Sequence, residues 1–201
     1  NRETITEVVE DLKAEKGELQ ASIDELEDEI SGLQQDYAQL EAKAGQSGDS
    51  GYGRAVTTIL DAGIDGVHGT VGQLGGVAAD YATACETAAG GRLANVVVND
   101  DAVGKRGIEY LKTRNAGRAT FLPITEMGKR GLPNLPNHEG VIDFAYNLVD
   151  FDAEYEGIFS YVLGDTVVVE DIDTAREFMG QYRLVTLDGE LVEKSGAMTG
   201  G

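Results

Sequence analysis

The stretch GGRLANVVVNDD at residues 90–101 has a shorter counterpart, GDTVVVED, at residues 164–171. In both, three consecutive valines precede a pair of acidic residues, Asp100-Asp101 or Glu170-Asp171. A run of β-branched residues without polar alternation predicts a strand that is covered on both faces. The acidic pair predicts the start of a helix, because a carboxylate accepts hydrogen bonds from the free backbone N–H groups of a first helical turn.

The segments on either side of these two stretches also correspond. Before each valine run, the pattern predicts a helix that opens near a tyrosine, Tyr81 in one case and Tyr155 in the other. After each predicted capped helix comes another strand, at 118–122 and at 182–186. The order helix, buried strand, acidic cap, helix and strand therefore occurs twice, which indicates an internal repeat.

The repeat predicts a mixed α+β fold of two related lobes. We assign residues 52–201 to this domain, with lobe I at about 52–122 and lobe II at about 140–201. The loop between them, 123–139, contains all three prolines of the chain. Lobe II ends in a predicted hairpin, because Asp188-Gly189 between two apolar runs is a strong signal for a two-residue turn.

The first 44 residues carry a different pattern. Its stripe positions run from Ile5 to Ala44 with spacings of four and three in strict alternation. This 3.5-residue repeat predicts a coiled-coil helix over 1–44; the alternative is an amphipathic helix that packs on its own domain. The predicted coiled-coil seam consists of Ile5, Val9, Leu12, Leu19, Ile23, Leu26, Ile30, Leu33, Tyr37 and Leu40. A glycine- and serine-rich segment at 45–51 is expected to be a flexible joint.

The chain is strongly acidic, with a formal net charge of -20. The excess is shared, since residues 51–201 hold 12 basic and 22 acidic side chains. Such a surface repels nucleic acid at long range, and it is what a protein from a salt-rich cytosol would carry. Cys85 is the only cysteine, which excludes an intramolecular disulfide. With no membrane-spanning run and no signal-peptide pattern, we expect a cytoplasmic protein; the missing initiator Met suggests a piece of a longer polypeptide.

The sequence gives little support to a catalytic or cofactor-binding interpretation. His68 and His138 have no Cys, Asp or Glu at metal-ligand spacing. The glycines from Gly66 to Gly75 recur at every third residue, which matches neither the dinucleotide-binding nor the phosphate-loop motif. The acidic pairs could act in acid–base chemistry, although helix capping already accounts for them. We therefore predict that this part of the protein is not an enzyme and holds no cofactor or metal.

One segment departs from the acidic background. Residues 105–130 hold seven basic side chains against two acidic ones. Six of the basic residues are candidates for DNA contact: Lys105, Arg106, Lys112, Arg114, Lys129 and Arg130. Two interpretations stay open, a solvated surface with ordinary neutralising partners or a patch for DNA phosphates.

Four motifs, taken together, resemble a known family. They are GVHGTVG at 66–72, AAGGRLANVVV at 88–98, GRATFLP at 117–123 and SGAMTGG at 195–201. With a heptad helix and a joint before them, they are similar to the hinge of structural-maintenance-of-chromosomes (SMC) proteins of the prokaryotic type. The resemblance covers about residues 52–201, and its motifs are specific in combination.

The resemblance implies an SMC-hinge-like fold of two pseudo-repeated lobes that forms a homodimer and acts in chromosome condensation and segregation. It implies strand pairing between lobes of different copies, at an interface that includes Ala119, Phe121, Gly196, Met198, Gly200 and Gly201. The ATPase heads, and an antiparallel return helix covering the heptad seam, would lie elsewhere in the polypeptide. DNA binding at the hinge and association with the chromosome are further implications. The alternative function is a ligand- or nucleotide-binding α/β sensor on a coiled-coil stalk, which would need a phosphate loop.

Overall fold

The computed structural model describes residues 2–46 and 52–201, and the side chains of residues 4–36 and 52–201. The chain divides into two compact units, Asn1–Gly51 and Tyr52–Gly201. Across the described residues, no helix has the length and apolar content that crossing a membrane requires.

The first unit is one long helix, α1 (Arg2–Gln46), which confirms the predicted N-terminal helix. Its apolar stripe from Ile5 to Leu33 is 42–65% exposed. The side chains of Tyr37 and Leu40 lie outside the described residues. The predicted joint is wrong at Gly45 and Gln46, which are helical, because a helix can continue past the last seam residue at a cost of about 1 kcal/mol for a glycine. The rest of the joint, 47–51, lies outside the described residues.

The second unit alternates short helices and short strands. The lobe I elements are α2 (Arg54–Asp61), β1 (Val67–Thr70), α3 (Val71–Leu74), β2 (Gly76–Val77), α4 (Ala79–Ala89), a 3₁₀ turn (Gly90–Ala94), β3 (Val96–Val98), α5 (Asp101–Arg114) and β4 (Phe121–Pro123). A 3₁₀ turn (Ile124–Glu126) begins the connection to lobe II. The lobe II elements are β5 (Val141–Phe144), α6 (Ala145–Leu148), β6 (Val149–Asp150), a 3₁₀ turn (Ala153–Tyr155), α7 (Glu156–Leu163), β7 (Val167–Val169), α8 (Ile172–Glu177), β8 (Leu184–Thr186), β9 (Leu191–Val192) and β10 (Met198–Thr199).

The strand pairing confirms the internal repeat. In lobe I the strand order is β1-β3-β4, with β1 antiparallel and β4 parallel to β3. In lobe II the strands β5, β7 and β8 repeat this arrangement, and β9 and β10 extend the sheet beyond β8 to give the order β10-β9-β8-β7-β5. The short strands β2 and β6 pair antiparallel with each other and so join the lobes.

The second strand of each repeat is shorter than predicted. β4 begins at Phe121 rather than at 118, because its ladder starts only opposite Val96. β8 likewise begins at Leu184, opposite Val167. The predicted hairpin is confirmed, since β8 and β9 pair antiparallel around Gly189, whose φ of +89° suits a glycine.

The six valines of the two runs contribute to three apolar cores. Their central residues, Val97 and Val168, pack in a core shared by both lobes. Val96 and Val98 face an outer core of lobe I, and Val167 and Val169 face an outer core of lobe II. All six valines are fully buried, which confirms strands covered on both faces. Every buried apolar residue among the described side chains lies between Ala55 and Val192, so residues 52–201 contain a complete core of their own.

The acidic residues after the valine runs cap helices, as predicted. Oδ1 of Asp100 accepts a hydrogen bond of 2.9 Å from the Val103 backbone N–H at the start of α5. Oδ1 of Asp171 accepts one of 2.8 Å from the Thr174 backbone N–H at the start of α8. The pKa of Asp171 is lowered, first by the backbone N–H of Thr174 and then by its hydroxyl. These carboxylates therefore stabilise helix starts at equivalent places in the two lobes.

Candidate dimer interface

The two lobes end in sheet edges of different construction. Beyond β8, lobe II carries β9 and β10, whereas within residues 52–201 no strand pairs with the outer side of β4, the counterpart of β8 in lobe I. β4 and β10 are therefore both edge strands. An edge strand presents backbone N–H and C=O groups that have no ladder partner, and a strand from another chain can pair with them.

At the lobe I edge, the backbone of Phe121 points away from β3. The carbonyl of the preceding residue, Thr120, accepts a hydrogen bond of 2.9 Å from the Val96 N–H. Successive residues of a strand present their backbone groups to alternate sides, so those of Phe121 face the open edge. The Phe121 ring packs against α5 at Gly107, where an added Cβ would lie 2.6 Å from it.

At the lobe II edge, the backbone of Met198 is the part that faces outward. The Ala197 carbonyl accepts a hydrogen bond of 2.8 Å from the Glu193 N–H, so the next residue presents its backbone groups to the open side. The side chain of Met198 is 50% exposed. An apolar side chain and free backbone groups therefore lie together on the outermost strand of this sheet.

The glycines predicted for the interface also have roles within their own chain. Gly196 has a φ of +92° and donates its N–H to the Glu193 carbonyl, which makes it part of the turn between β9 and β10. A Cβ at Gly200 would lie 2.8 Å from Cγ of Glu190. Gly201 has a φ of +116°. Turn geometry and close packing beside β10 thus account for glycine at these positions without a second copy.

Exposed large apolar side chains are few in this domain. Within residues 52–201 they are Ile108, Leu135, Tyr161 and Met198. Two of the four lie at the open edges, since Met198 is on β10 and Ile108 is on the face of α5 that borders β4. Ile108 was not among the predicted interface residues. The buried positions of α5 are 103, 104, 107 and 111, so Ile108 lies off the inward face of the helix. This helical spacing could have identified Ile108 as an exposed apolar residue.

The six basic candidates fall into two groups with different neighbours. Lys105, Arg106, Lys112 and Arg114 are on α5. Lys129 and Arg130 follow the 3₁₀ turn after β4, where Lys129 Nζ lies 5.6 Å from the centre of the Tyr146 ring. The Arg130 backbone N–H donates to Ser160 Oγ in α7 at 2.9 Å. The second group therefore packs against elements of lobe II.

Several α5 cations have partners within the domain. Lys105 Nζ is 3.6 Å from Glu109 Oε1, and Arg106 donates to the Asp65 carbonyl at 3.0 Å. The Arg114 guanidinium lies 3.9 Å from the centre of the Tyr110 ring. Lys112 and Arg114 also occupy the last turn of α5, where positive charge favours the helix dipole. Contacts within the domain can therefore account for these basic side chains without DNA.

The histidines and the cysteine occupy packed positions. His68 Nδ1 lies 2.7 Å from the Tyr155 hydroxyl, and its Nε2 contacts Asn99 Oδ1, so His68 links lobe I to lobe II. His138 pairs with Glu177 at 3.2 Å. Burial raises the pKa of the Cys85 thiol to about 11, which keeps it protonated and makes it a poor nucleophile. Among the described residues, no group of three or more His, Cys, Asp and Glu side chains could hold a metal ion.

The fold and its edge strands β4 and β10 define a class of protein: a two-lobed α/β domain that follows a long heptad helix and has edge strands suited to strand pairing. The family model for the SMC proteins flexible hinge domain matches residues 64–179. The chain therefore belongs to the SMC hinge-domain family, which confirms the resemblance read from the motifs. This part of the protein is a hinge domain and not a catalytic one.

Relatives and solved structures agree with this assignment. The chromosome partition protein Smc of Synechococcus sp. is 55% identical over 150 residues, which are 73% of this chain and 13% of that protein. The Geobacillus stearothermophilus SMC hinge domain, solved as an asymmetric dimer, has a TM-score of 0.71 at 35% identity and covers 84% of this chain and 75% of its own. The Pyrococcus furiosus Smc hinge domain with an extended coiled coil has a TM-score of 0.67 at 36% identity, covering 92% and 69%.

Proposed function

We propose that this chain joins two SMC polypeptides by forming a homodimer through its hinge domain. The observation that carries the proposal is the presence of two open edges of different construction, β4 in lobe I and β10 in lobe II, on a single domain. A solved relative from Geobacillus stearothermophilus forms a hinge dimer, which supports the same assembly here. The open backbone groups near Phe121 and Met198 supply the hydrogen-bonding capacity that strand pairing needs.

In the proposed dimer, β10 of one copy pairs with β4 of the other. A two-fold axis then makes the same contact twice, lobe I to lobe II on each side, so that the ring closes and the β4 and β10 edges of each copy are covered. Closure of this kind explains how a protein can carry open edges without forming open-ended fibres. Ala119, Phe121, Gly196, Met198, Gly200 and Gly201 are the proposed interface residues.

The rest of the proposal concerns the longer protein. The chain spans 13% of the length of the Synechococcus relative that it matches. We propose that the whole polypeptide is a chromosome-associated, cytoplasmic ATPase of chromosome condensation and segregation, with its ATP-hydrolysing heads outside this segment. A returning helix would cover the exposed stripe of α1 in antiparallel orientation. The acidic surface suits a salt-rich cytosol, and a melting temperature that fails to fall at low salt would contradict this last point.

Contact with DNA is a second candidate function. The observation that favours it is the placement of Lys105, Arg106, Lys112 and Arg114 on one helix of an otherwise acidic domain. Their internal partners reduce the charge that is free to meet phosphates, so we expect at most weak, salt-sensitive binding.

The strand-pairing proposal is tested by removing a single backbone donor. Met198→Pro deletes an N–H that faces the open side of β10, whereas Met198→Leu keeps it together with an apolar side chain. Because the proposed dimer contains this edge twice, two bonds worth about 1 kcal/mol each are lost, which weakens dimerisation about 30-fold. Sedimentation equilibrium measures the dissociation constant, and equal constants for the two variants would overturn the proposed pairing.

A further inference from the structure

A groove of about 390 Å³ lies beside the open edge of lobe I. One wall is the face of α5 that carries Asp101, Lys105, Ile108 and Lys112, and the other is β4. These helix residues are spaced by three and four positions, so they form one continuous stripe. Ile108, which is 45% exposed, is the only large apolar side chain that α5 contributes to the groove.

A glycine explains why the groove lies at this edge. Gly107 has no side chain, so α5 packs closely on Phe121: a Cβ at Gly107 would lie 2.6 Å from the Phe121 ring. The ring therefore fills the space beneath the helix. Ile108, on the neighbouring face, is left beside the outer side of β4, where this sheet has no further strand in residues 52–201.

The other exposed edge carries an apolar side chain on the corresponding face. Met198 is directly opposite Val192 in the β9–β10 pair, and residues directly opposite each other share a face of the sheet. Val192 packs in the outer core of lobe II, so Met198 lies on the outer face of its sheet. Phe121 packs in the outer core of lobe I, so the groove also lies on an outer face.

Resting on the hinge dimer proposed above, we infer that this groove is the seat for the Met198 side chain of a second copy of the chain. When β10 of one copy pairs antiparallel with β4 of the other, the outer faces of the two sheets form one surface. The side chain of Met198 then lies over the groove and contacts Ile108 and the edge of Phe121. An unbranched thioether side chain suits such a shallow, irregular site.

The seat explains how the register of the pairing is specified. Two short edge strands can pair in more than one register, because backbone hydrogen bonds alone do not distinguish a shift of two residues. One apolar side chain that fits one groove favours a single register. The charges that line the groove balance one another, since Asp101 and Glu109 lie beside Lys105 and Lys112, so the apolar contact and not charge specifies this register.

The first experiment compares three substitutions of exposed apolar residues by aspartate in residues 52–201, which carry their own core. Ile108→Asp and Met198→Asp each place a charge in the proposed seat, and Leu135→Asp places one on an exposed loop of the same domain. By sedimentation equilibrium we expect the first two to weaken dimerisation at least a hundredfold and Leu135→Asp to change it less than threefold. A circular dichroism spectrum like that of the unmodified domain would show that all three variants fold, as expected for exposed sites.

The second experiment tests the contact itself. In a Cys85→Ala background, chains with Ile108→Cys are mixed with chains with Met198→Cys and treated with a short bismaleimide crosslinker. The inference predicts a covalent heterodimer in the mixture and little crosslinking of either chain alone. Failure to crosslink, with a dimer that Ile108→Asp does not weaken, would overturn the seat while leaving the hinge dimer intact. A monomeric unmodified domain would overturn the dimer as well.

Discussion

Lobe I and lobe II contain the same elements in the same order, yet their sheets end differently. In lobe II the strand that corresponds to β4 is followed by β9 and β10, and in lobe I the sheet stops at β4 itself. The inner parts of both sheets, by contrast, are equivalent, down to the buried Val97 and Val168. The repeated elements therefore build the shared core, while the difference at the edges creates two surfaces to which a second copy can bind.

A second difference lies on the helices that pack between the lobes. Counting from the paired tyrosines Tyr81 and Tyr155, Thr83 on α4 corresponds to Gly157 on α7. Thr83 packs near Gly189 at the hairpin turn, whereas a Cβ at Gly157 would lie only 1.8 Å from the Met127 carbonyl oxygen. Lobe II therefore uses a glycine where the connecting loop crosses its helix.

The largest effect on stability is expected from adding a side chain at Gly157, where the connecting loop crosses α7. Gly157→Ala forces backbone apart and should destabilise the domain by about 3 kcal/mol. Gly104→Ala is the matched control in lobe I, because its Cβ would make only an ordinary contact at 3.6 Å and alanine favours a helix by up to about 1 kcal/mol. Urea denaturation of both variants measures the difference. Equal stabilities would mean that α7 and the loop do not cross as described.

The capping carboxylates offer a finer comparison of the lobes. Asp100→Ala should cost about 1 kcal/mol at pH 7, and Asp171→Ala should also destabilise the domain. The pKa of Asp171 is lowered below its ordinary value of 3.8, so its ionised form is favoured by folding. Its contribution is therefore present above about pH 4 and is lost as the pH falls through the lowered value.

Thermal denaturation at pH 7 and near pH 3 checks this dependence. The gap in melting temperature between Asp171→Ala and the unmodified domain should shrink at the lower pH. A gap that stays constant or widens on acidification would show that the Thr174 hydrogen bond does not favour the ionised carboxylate.

The smallest effect concerns DNA. Reversing three charges on α5, with Lys105, Arg106 and Lys112 all changed to Glu, should abolish whatever weak DNA binding the domain has. It should leave the dissociation constant of the dimer changed by less than about tenfold, since only rim charges of the groove are altered. Gel shifts at low and moderate salt make the comparison. DNA binding that is unaffected by the triple change would remove the patch as a contact surface.

Local patterns made much of this structure predictable. The heptad spacing indicated α1, the valine runs indicated buried strands, and the carboxylates after them indicated the caps. Each of these signals depends only on residues that are close together in the sequence. The edge strand β10 and the β2–β6 pair were not predicted, since two-residue strands exist only through their partners. The contact of His68 with Tyr155 spans 87 residues, and sequence spacing does not encode such a distance.

The candidate site was predicted only in part for the same reason. The motif at 195–201 indicated Met198. Ile108 belongs to no motif, and only the packing of α5 beside an open strand identifies it. Gly45 and Gln46 were assigned to the joint although they are helical, because the end of a seam does not require the end of a helix. The hydrogen-bond pattern of a helix and its apolar pattern are separate properties, and only the second can be read directly from the residues.

The mass of residues 52–201 in solution tests the central claim most directly, because these residues carry both edges and a complete core but lack the exposed stripe of α1. Sedimentation equilibrium of the unmodified domain at micromolar concentration should give twice the mass of a single chain. The Met198→Asp variant should fall to the mass of one chain on dilution. A mass of one chain for the unmodified domain at the same concentration would contradict the account.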